Sequence, residues 1–89
     1  MKLKYDFVIT DMGEEFDAVP VGENAAEFHG MLRLNQTGAE LLELLKNETD
    51  PNVLLAEMMK RYPDSPKDDI GAFIADFLNH LIAEGILVK

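Results

Sequence analysis

The chain changes its hydrophobic period once, near residue 35. Before that point, three short segments predict β-strands: the first is rich in aromatic and β-branched residues, and in the other two apolar and polar residues alternate. These segments are residues 5–10 (YDFVIT), 15–21 (EFDAVPV) and 28–34 (FHGMLRL). Residues 12–14 predict a hairpin turn between the first two segments. Pro20 has no backbone N–H to donate to a neighbouring strand, so the second strand should lie at a sheet edge or end there.

After residue 35 the apolar residues fall at helical spacing, and the first helix should bury leucines 41, 42, 44 and 45. Two signals compete to cap its start. Thr37 and Glu40 have the spacing of a capping box, and Asn35 is the alternative cap. Asn47 then predicts a left-handed stop at the end of the helix.

A second helix is predicted from Pro51 to about Tyr62, with Asp50 as its cap. Its expected inward residues are Val53, Leu54, Met58 and Tyr62. The third helix, residues 67–84, carries the longest apolar stripe of the chain and should end at Gly85. Residues 86–88 (ILV) offer a short final strand or tail.

The apolar stripe of the third helix spans about 180°, which is wider than a surface helix needs to cover a core. Two explanations are open at this point. Part of the stripe can face a groove, or a small domain can simply wrap this helix more completely.

Length and composition define the class of protein further. Eighty-nine residues predict a single domain (1–89) of α+β class, in which three N-terminal strands precede three helices. The net charge of −9 opposes binding to nucleic acid. No apolar run reaches 18 residues, so we expect no membrane span and a cytoplasmic location.

Candidate chemistry is sparse. The chain has no cysteine, a single serine (Ser65) and two histidines, His29 and His80, and no spacing of a catalytic triad. Both histidines are more simply read as structural. The acidic residues lack the spacing of a calcium loop. We therefore expect no catalytic residue, no metal and no cofactor.

Several motifs, in this order, resemble the PqqD family, the small proteins of coenzyme PQQ synthesis and of related peptide-modification clusters, also called RiPP recognition elements. The motifs are VPVG at 19–22, GMLRLNQTGA at 30–39, Tyr62, and FLNHLIAEGIL at 77–87. The chain departs from many members in having KNET at 46–49, where a glycine is common, although Asn47 can adopt the same turn.

The resemblance implies a non-catalytic, winged helix-turn-helix-like domain. Such domains bind the leader of a ribosomally made precursor peptide and present the rest to a modifying enzyme, often a radical S-adenosylmethionine (SAM) protein. The leader is implied to lie as an extra strand along the third strand, beside the third helix. The candidate peptide-binding residues are Phe28, His29, Gly30, Met31, Leu32, Arg33, Leu34, Ile70, Phe73 and Phe77.

Some alternatives remain open. Gly30 either allows close approach of the peptide backbone or forms a bulge, and Arg33 can pair with an acidic leader residue. An unfilled edge strand can also pair with a second copy, giving a homodimer. The competing function is a winged-helix regulator or protein-interaction domain that binds no leader. An enzyme survives only as a subunit whose partner carries the cofactor, and PQQ itself need not be the product.

Overall fold

The strands and helices follow one another in an order close to that predicted from the sequence. The computed structural model describes residues 1–22 and 30–88. In chain order the elements are β1 (Lys2–Leu3), β2 (Asp6–Asp11), β3 (Phe16–Val21), β4 (Leu32–Leu34), α1 (Gln36–Leu44), α2 (Pro51–Arg61), α3 (Lys67–Ala83) and β5 (Leu87–Val88).

The main sheet is antiparallel, in the order β2-β3-β4. Val8 lies opposite Val19, and Asp17 lies opposite Arg33. Pro20 lies two residues beyond Ala18, the last residue of β3 that pairs with β4, so it occupies a part of β3 that pairs with β2 alone in the described chain. This placement agrees with the expectation that the strand is at an edge there.

A second, two-stranded sheet joins the two ends of the described chain. In it, Leu3 of β1 lies opposite Leu87 of β5. The apolar run at residues 86–88 indicated β5, whereas β1 consists of one lysine and one leucine and has no such run.

The core lies between the inner face of the main sheet and the three helices. Phe7 and Ala18 from the sheet are buried against helical side chains. The largest fully buried side chains are Leu41, Leu42, Leu45, Leu54, Met58, Leu81 and Ile86. The other face of the sheet is exposed and carries Val8 and Val19, and Met31, just before β4, is exposed as well. For Val19 and Met31 the alternation of apolar residues predicts this exposure.

Helix ends follow side-chain chemistry. Asn35, rather than the Thr37 and Glu40 pair, caps α1: its Oδ1 accepts a hydrogen bond from the Gly38 N–H at 2.8 Å. Asp50 caps α2 in the same way, accepting from the Val53 N–H at 3.0 Å. Gly85 follows α3 with a φ of +74°, a backbone conformation that favours glycine.

Three local predictions were wrong. Asn47 is not left-handed, because within residues 1–22 and 30–88 only glycines have a positive φ. Val53 is 55% exposed, and Leu55 packs against the core in its place. The strand predicted over 28–34 begins only at Leu32 within its described part, and residues 28 and 29 lie outside the described residues.

Candidate functional site

A groove of about 600 Å³ lies between β4 and α3. One wall is the segment from Met31 to Asn35, and the other is one side of α3. Its lining residues are Met31, Leu32, Arg33, Leu34, Asn35, Gly38, Phe73, Phe77, His80, Leu81 and Glu84. Six of the ten residues that the sequence proposed for peptide binding therefore meet in one groove.

The strand wall of the groove is at the edge of the sheet. β4 is the last strand in the order β2-β3-β4, and no described strand pairs with its outer edge. Leu32 and Leu34 are half-buried and pack against the core, whereas Met31 and Arg33 are exposed. An edge strand of this kind has free backbone N–H and C=O groups beside the groove.

The helix wall carries a pair of aromatic rings. Phe73 and Phe77 lie one turn apart on α3 and stack, with ring centroids 6.1 Å apart and planes 11° apart. Both side chains are half-buried, so part of each ring contacts the core and part remains accessible. Such aromatic surface contributes strongly when a ligand covers it.

Gly38 lets α1 approach the groove wall closely. A Cβ built on Gly38 would lie 3.4 Å from Cε1 of Phe77 and 3.5 Å from Cβ of Leu34. The same Cβ would lie 3.1 Å from Oδ1 of Asn35, the cap of α1. The tightest contact is therefore with the cap of α1, whereas Phe77 and Leu34 would lie at about van der Waals distance.

The charges at the groove are unevenly paired. Nε of Arg33 lies 3.2 Å from Oε2 of Glu15 and 3.4 Å from Oδ1 of Asp17, so two carboxylates already share this cation. Glu84 lies in the lining without a cationic partner in the part of the chain that the structure describes. His80 lies one helical turn before it.

The remaining proposed residues lie elsewhere. Ile70 lines a separate cavity of about 180 Å³, which adjoins the groove at Phe73. Gly30 is exposed with a φ of +126°, and among the described residues no atom outside its chain neighbours lies within 4 Å of the position a Cβ would take. Phe28 and His29 lie outside the described residues.

Sequence reasoning did not assign five of the lining residues to the groove. These are Asn35, Gly38, His80, Leu81 and Glu84. Helical spacing could have found three of them, because positions 80, 81 and 84 lie three, four and seven residues after Phe77 and share its side of α3.

A second groove, of about 340 Å³, lies between α2 and α3. From α3 it is lined by Gly71, Ile74, Ala75, Leu78, Asn79 and Ile82. The first groove is lined from α3 by Phe73, Phe77, His80, Leu81 and Glu84. At about 100° per residue, the two sets of α3 positions lie on opposite flanks of the helix. The wide apolar stripe of α3 is thus divided among the core and two grooves.

Tyr62 connects the end of α2 to the middle of α1. Its hydroxyl donates a hydrogen bond to Oε2 of Glu40 on α1. This hydrogen bond, followed by burial and the negative charge of Glu40, raises the pKa of Tyr62 above its usual value of 10.0.

In residues 1–22 and 30–88, no group of three or more His, Cys, Asp or Glu is arranged to hold a metal ion.

The fold and the site together define a small α+β domain in which an open strand edge borders an aromatic groove. The family model described as coenzyme PQQ synthesis protein D (PqqD) matches residues 25–87, so the chain belongs to the PqqD family. No curated protein matches the sequence.

A solved structure has the same fold. It is "TbiB1 in Complex with the TbiA(beta) Leader Peptide", which aligns with a TM-score of 0.74 at 17% sequence identity. The alignment covers 98% of this chain and 94% of the matched chain. In the described residues, no helix is long and apolar enough to cross a bilayer.

Proposed function

We propose that this protein binds the leader segment of a ribosomally made precursor peptide and presents the rest of the peptide to a modifying enzyme. The observation that carries the proposal is the unpaired edge of β4 beside the Phe73 and Phe77 rings. TbiB1, whose fold this chain shares, forms a complex with a leader peptide. Membership of the PqqD family supports the same role.

The binding mode follows from the geometry of an edge strand. An extended peptide placed along β4 pairs its backbone with the free N–H and C=O groups of that strand. Its side chains then alternate between the groove and the exposed face of the sheet. Side chains that enter the groove cover Phe73 and Phe77, and the others lie on the exposed side of the sheet.

The partner assignments belong to the same proposal. The domain, residues 1–89, is winged-helix-like and non-catalytic, and the modification is carried out by a separate enzyme, with a radical SAM protein as the first choice. Both act in the cytoplasm, where precursor peptides are synthesised. The open edge of β4 can also pair with a second copy of the chain, in which case the peptide must displace that copy.

Isothermal titration tests the proposal with synthetic leader peptides from small open reading frames beside the gene. We expect micromolar or tighter binding that Phe73→Ala, and proline in place of Met31, both weaken. Val53→Ala is the matched control, because Val53 is exposed on α2 and lines neither groove. Binding that ignores both groove changes would contradict the assignment of the site.

Two N-methylated versions of a binding peptide separate strand pairing from simple groove filling. Methyl groups on alternate backbone nitrogens block either the hydrogen bonds to β4 or the N–H groups that point away from it. At most two of the three residues of β4 have carbonyl groups that face outward, and each net hydrogen bond contributes about 1 kcal/mol, so two methyl groups on the pairing side should weaken binding about thirtyfold. Equal losses for the two versions would exclude addition of the peptide as a strand.

A further inference from the structure

The end of α3 places an acidic side chain where a helix favours a cation. Glu84 is the C-terminal cap of α3, and its backbone N–H donates to the carbonyl oxygens of His80 and Ile82. The C-terminal end of a helix carries a partial negative charge, so a carboxylate there is disfavoured unless a cation lies nearby. Among the described residues, no lysine or arginine forms an ion pair with this carboxylate, and the basic residue of the last turn, His80, is not paired with it either.

The Glu84 carboxylate, which has no ion-pair partner among the described residues, lies in the groove. Glu84 lines the groove together with Leu81 and Phe77, which lie three and seven residues earlier on α3. A long basic side chain can lie with its methylene groups against this apolar surface and its charged end at the carboxylate. The partial charge of the helix end would attract the same cation.

The opposite wall does not offer the complementary site for an acidic residue. Arg33 already has Glu15 and Asp17 within 3.4 Å of its Nε atom. Glu15 and Asp17 offset the positive charge of this guanidinium, so an acidic peptide side chain that bonded to its other N–H groups would also be repelled by two carboxylates. With a net charge of −9 on the chain, the long-range field also favours a positive peptide.

We infer that the end of the groove at Glu84 is a subsite for a lysine or arginine side chain of the bound peptide, and that Glu84 determines this specificity. The inference rests on the proposed function, because it assigns the charge of one residue of the peptide that the groove binds.

Selection from a displayed library of random linear 12-residue peptides tests the inference without knowledge of the natural precursor. The wild-type protein should enrich peptides that have Lys or Arg at one fixed spacing from their apolar residues. Glu84→Lys should shift the preference at that position to Asp or Glu. Asp76→Lys is the matched control, since Asp76 is an exposed acid of the same helix that lines neither groove.

A charge swap on one selected peptide gives the magnitude. Because exposed ion pairs are weak, Glu84→Gln should weaken binding by about threefold, and added salt should reduce that difference. Replacing the peptide lysine by glutamate should weaken binding to the wild-type protein. The same replacement should strengthen binding to Glu84→Lys, and should not do so for Asp76→Lys.

The other outcomes separate the two proposals. If selected peptides lose affinity with Phe77→Ala but show no charge preference that depends on Glu84, the subsite is wrong and leader binding stands. Equal effects of Glu84→Lys and Asp76→Lys would mean that net charge alone acts, which also overturns the subsite. If no peptide binds, or binding ignores Phe77→Ala, the proposed function fails and the subsite fails with it.

Discussion

Two glycines in helices offer a matched test of how closely α1 packs on the groove wall. Gly38 lies in the first turn of α1, and Gly71 lies in the second turn of α3. A Cβ on Gly38 would meet Asn35, Phe77 and Leu34 within 3.5 Å, whereas a Cβ on Gly71 would meet nothing within 4 Å. The same change, glycine to alanine, therefore probes a tight site and an open one.

Substitutions at Gly71 and Gly38 should change the free energy of unfolding by different amounts. Alanine stabilises a helix interior over glycine by about 1 kcal/mol, and Gly71→Ala should gain most of this. That gain corresponds to a rise in Tm of roughly 4–8 °C for a domain of this size. Gly38→Ala should be about 1 kcal/mol less stabilising than Gly71→Ala, because its methyl group displaces the Asn35 cap, which itself contributes about 1 kcal/mol. Gly38→Val should destabilise by about 1–3 kcal/mol, since its added carbons overpack the wall.

Urea unfolding followed by circular dichroism measures these differences, with equal m-values as the condition for comparing midpoints. The order of stability should be Gly71→Ala, then wild type or Gly38→Ala, then Gly38→Val. If Gly38→Ala stabilises as much as Gly71→Ala, the added methyl group does not disturb the Asn35 cap, and the reasoning from the 3.1 Å contact is refuted.

Two further predictions concern helix ends. Asp50→Ala should lower the free energy of unfolding by about 1 kcal/mol, because α2 loses the acceptor for the Val53 N–H. Urea unfolding measures this difference, and an unchanged free energy would mean that the cap is not formed. The raised pKa of Tyr62 means that its stabilising contribution is present below pH 10 and is lost as the pH rises through the folded-state pKa. Tyr62→Phe should therefore show a weaker loss of stability in urea unfolding above pH 10 than the wild type, and parallel curves would refute this.

Local signals in the sequence were sufficient for the start of α2 and the end of α3, but not for the end of α1, where the Asn47 signal was wrong. Asp50 followed by Pro51 fixed the start of α2, and Gly85 fixed the end of α3, because capping depends on residues adjacent in the chain. The prediction that Phe73 and Phe77 lie beside β4 came from the family resemblance. In the structure, both rings line one groove with the residues of β4. Whether they bind a peptide is a proposal that the experiments above address.

Features that depend on distant contacts could not be predicted. β1 exists because it pairs with β5, more than 80 residues later in the chain. Val53 points outward because the core contacts α2 through Leu54, Leu55 and Met58, and helical spacing alone does not choose between flanking positions 53 and 55. Ile70 shares the apolar stripe of Phe73, yet it lies in a neighbouring cavity beside Tyr62.

The width of the stripe on α3 has a physical explanation in these contacts. Ile74, Leu78 and Leu81 are buried, and they supply the burial that holds α3 in the fold. Phe73 and Phe77, on one flank, are only half-buried, so much of the free energy available from covering their rings is not used in folding. A ligand that covers them would gain that free energy, with little rearrangement of a helix already fixed by its buried side. The same helix can thus stabilise the domain and form a preorganised wall for a bound peptide.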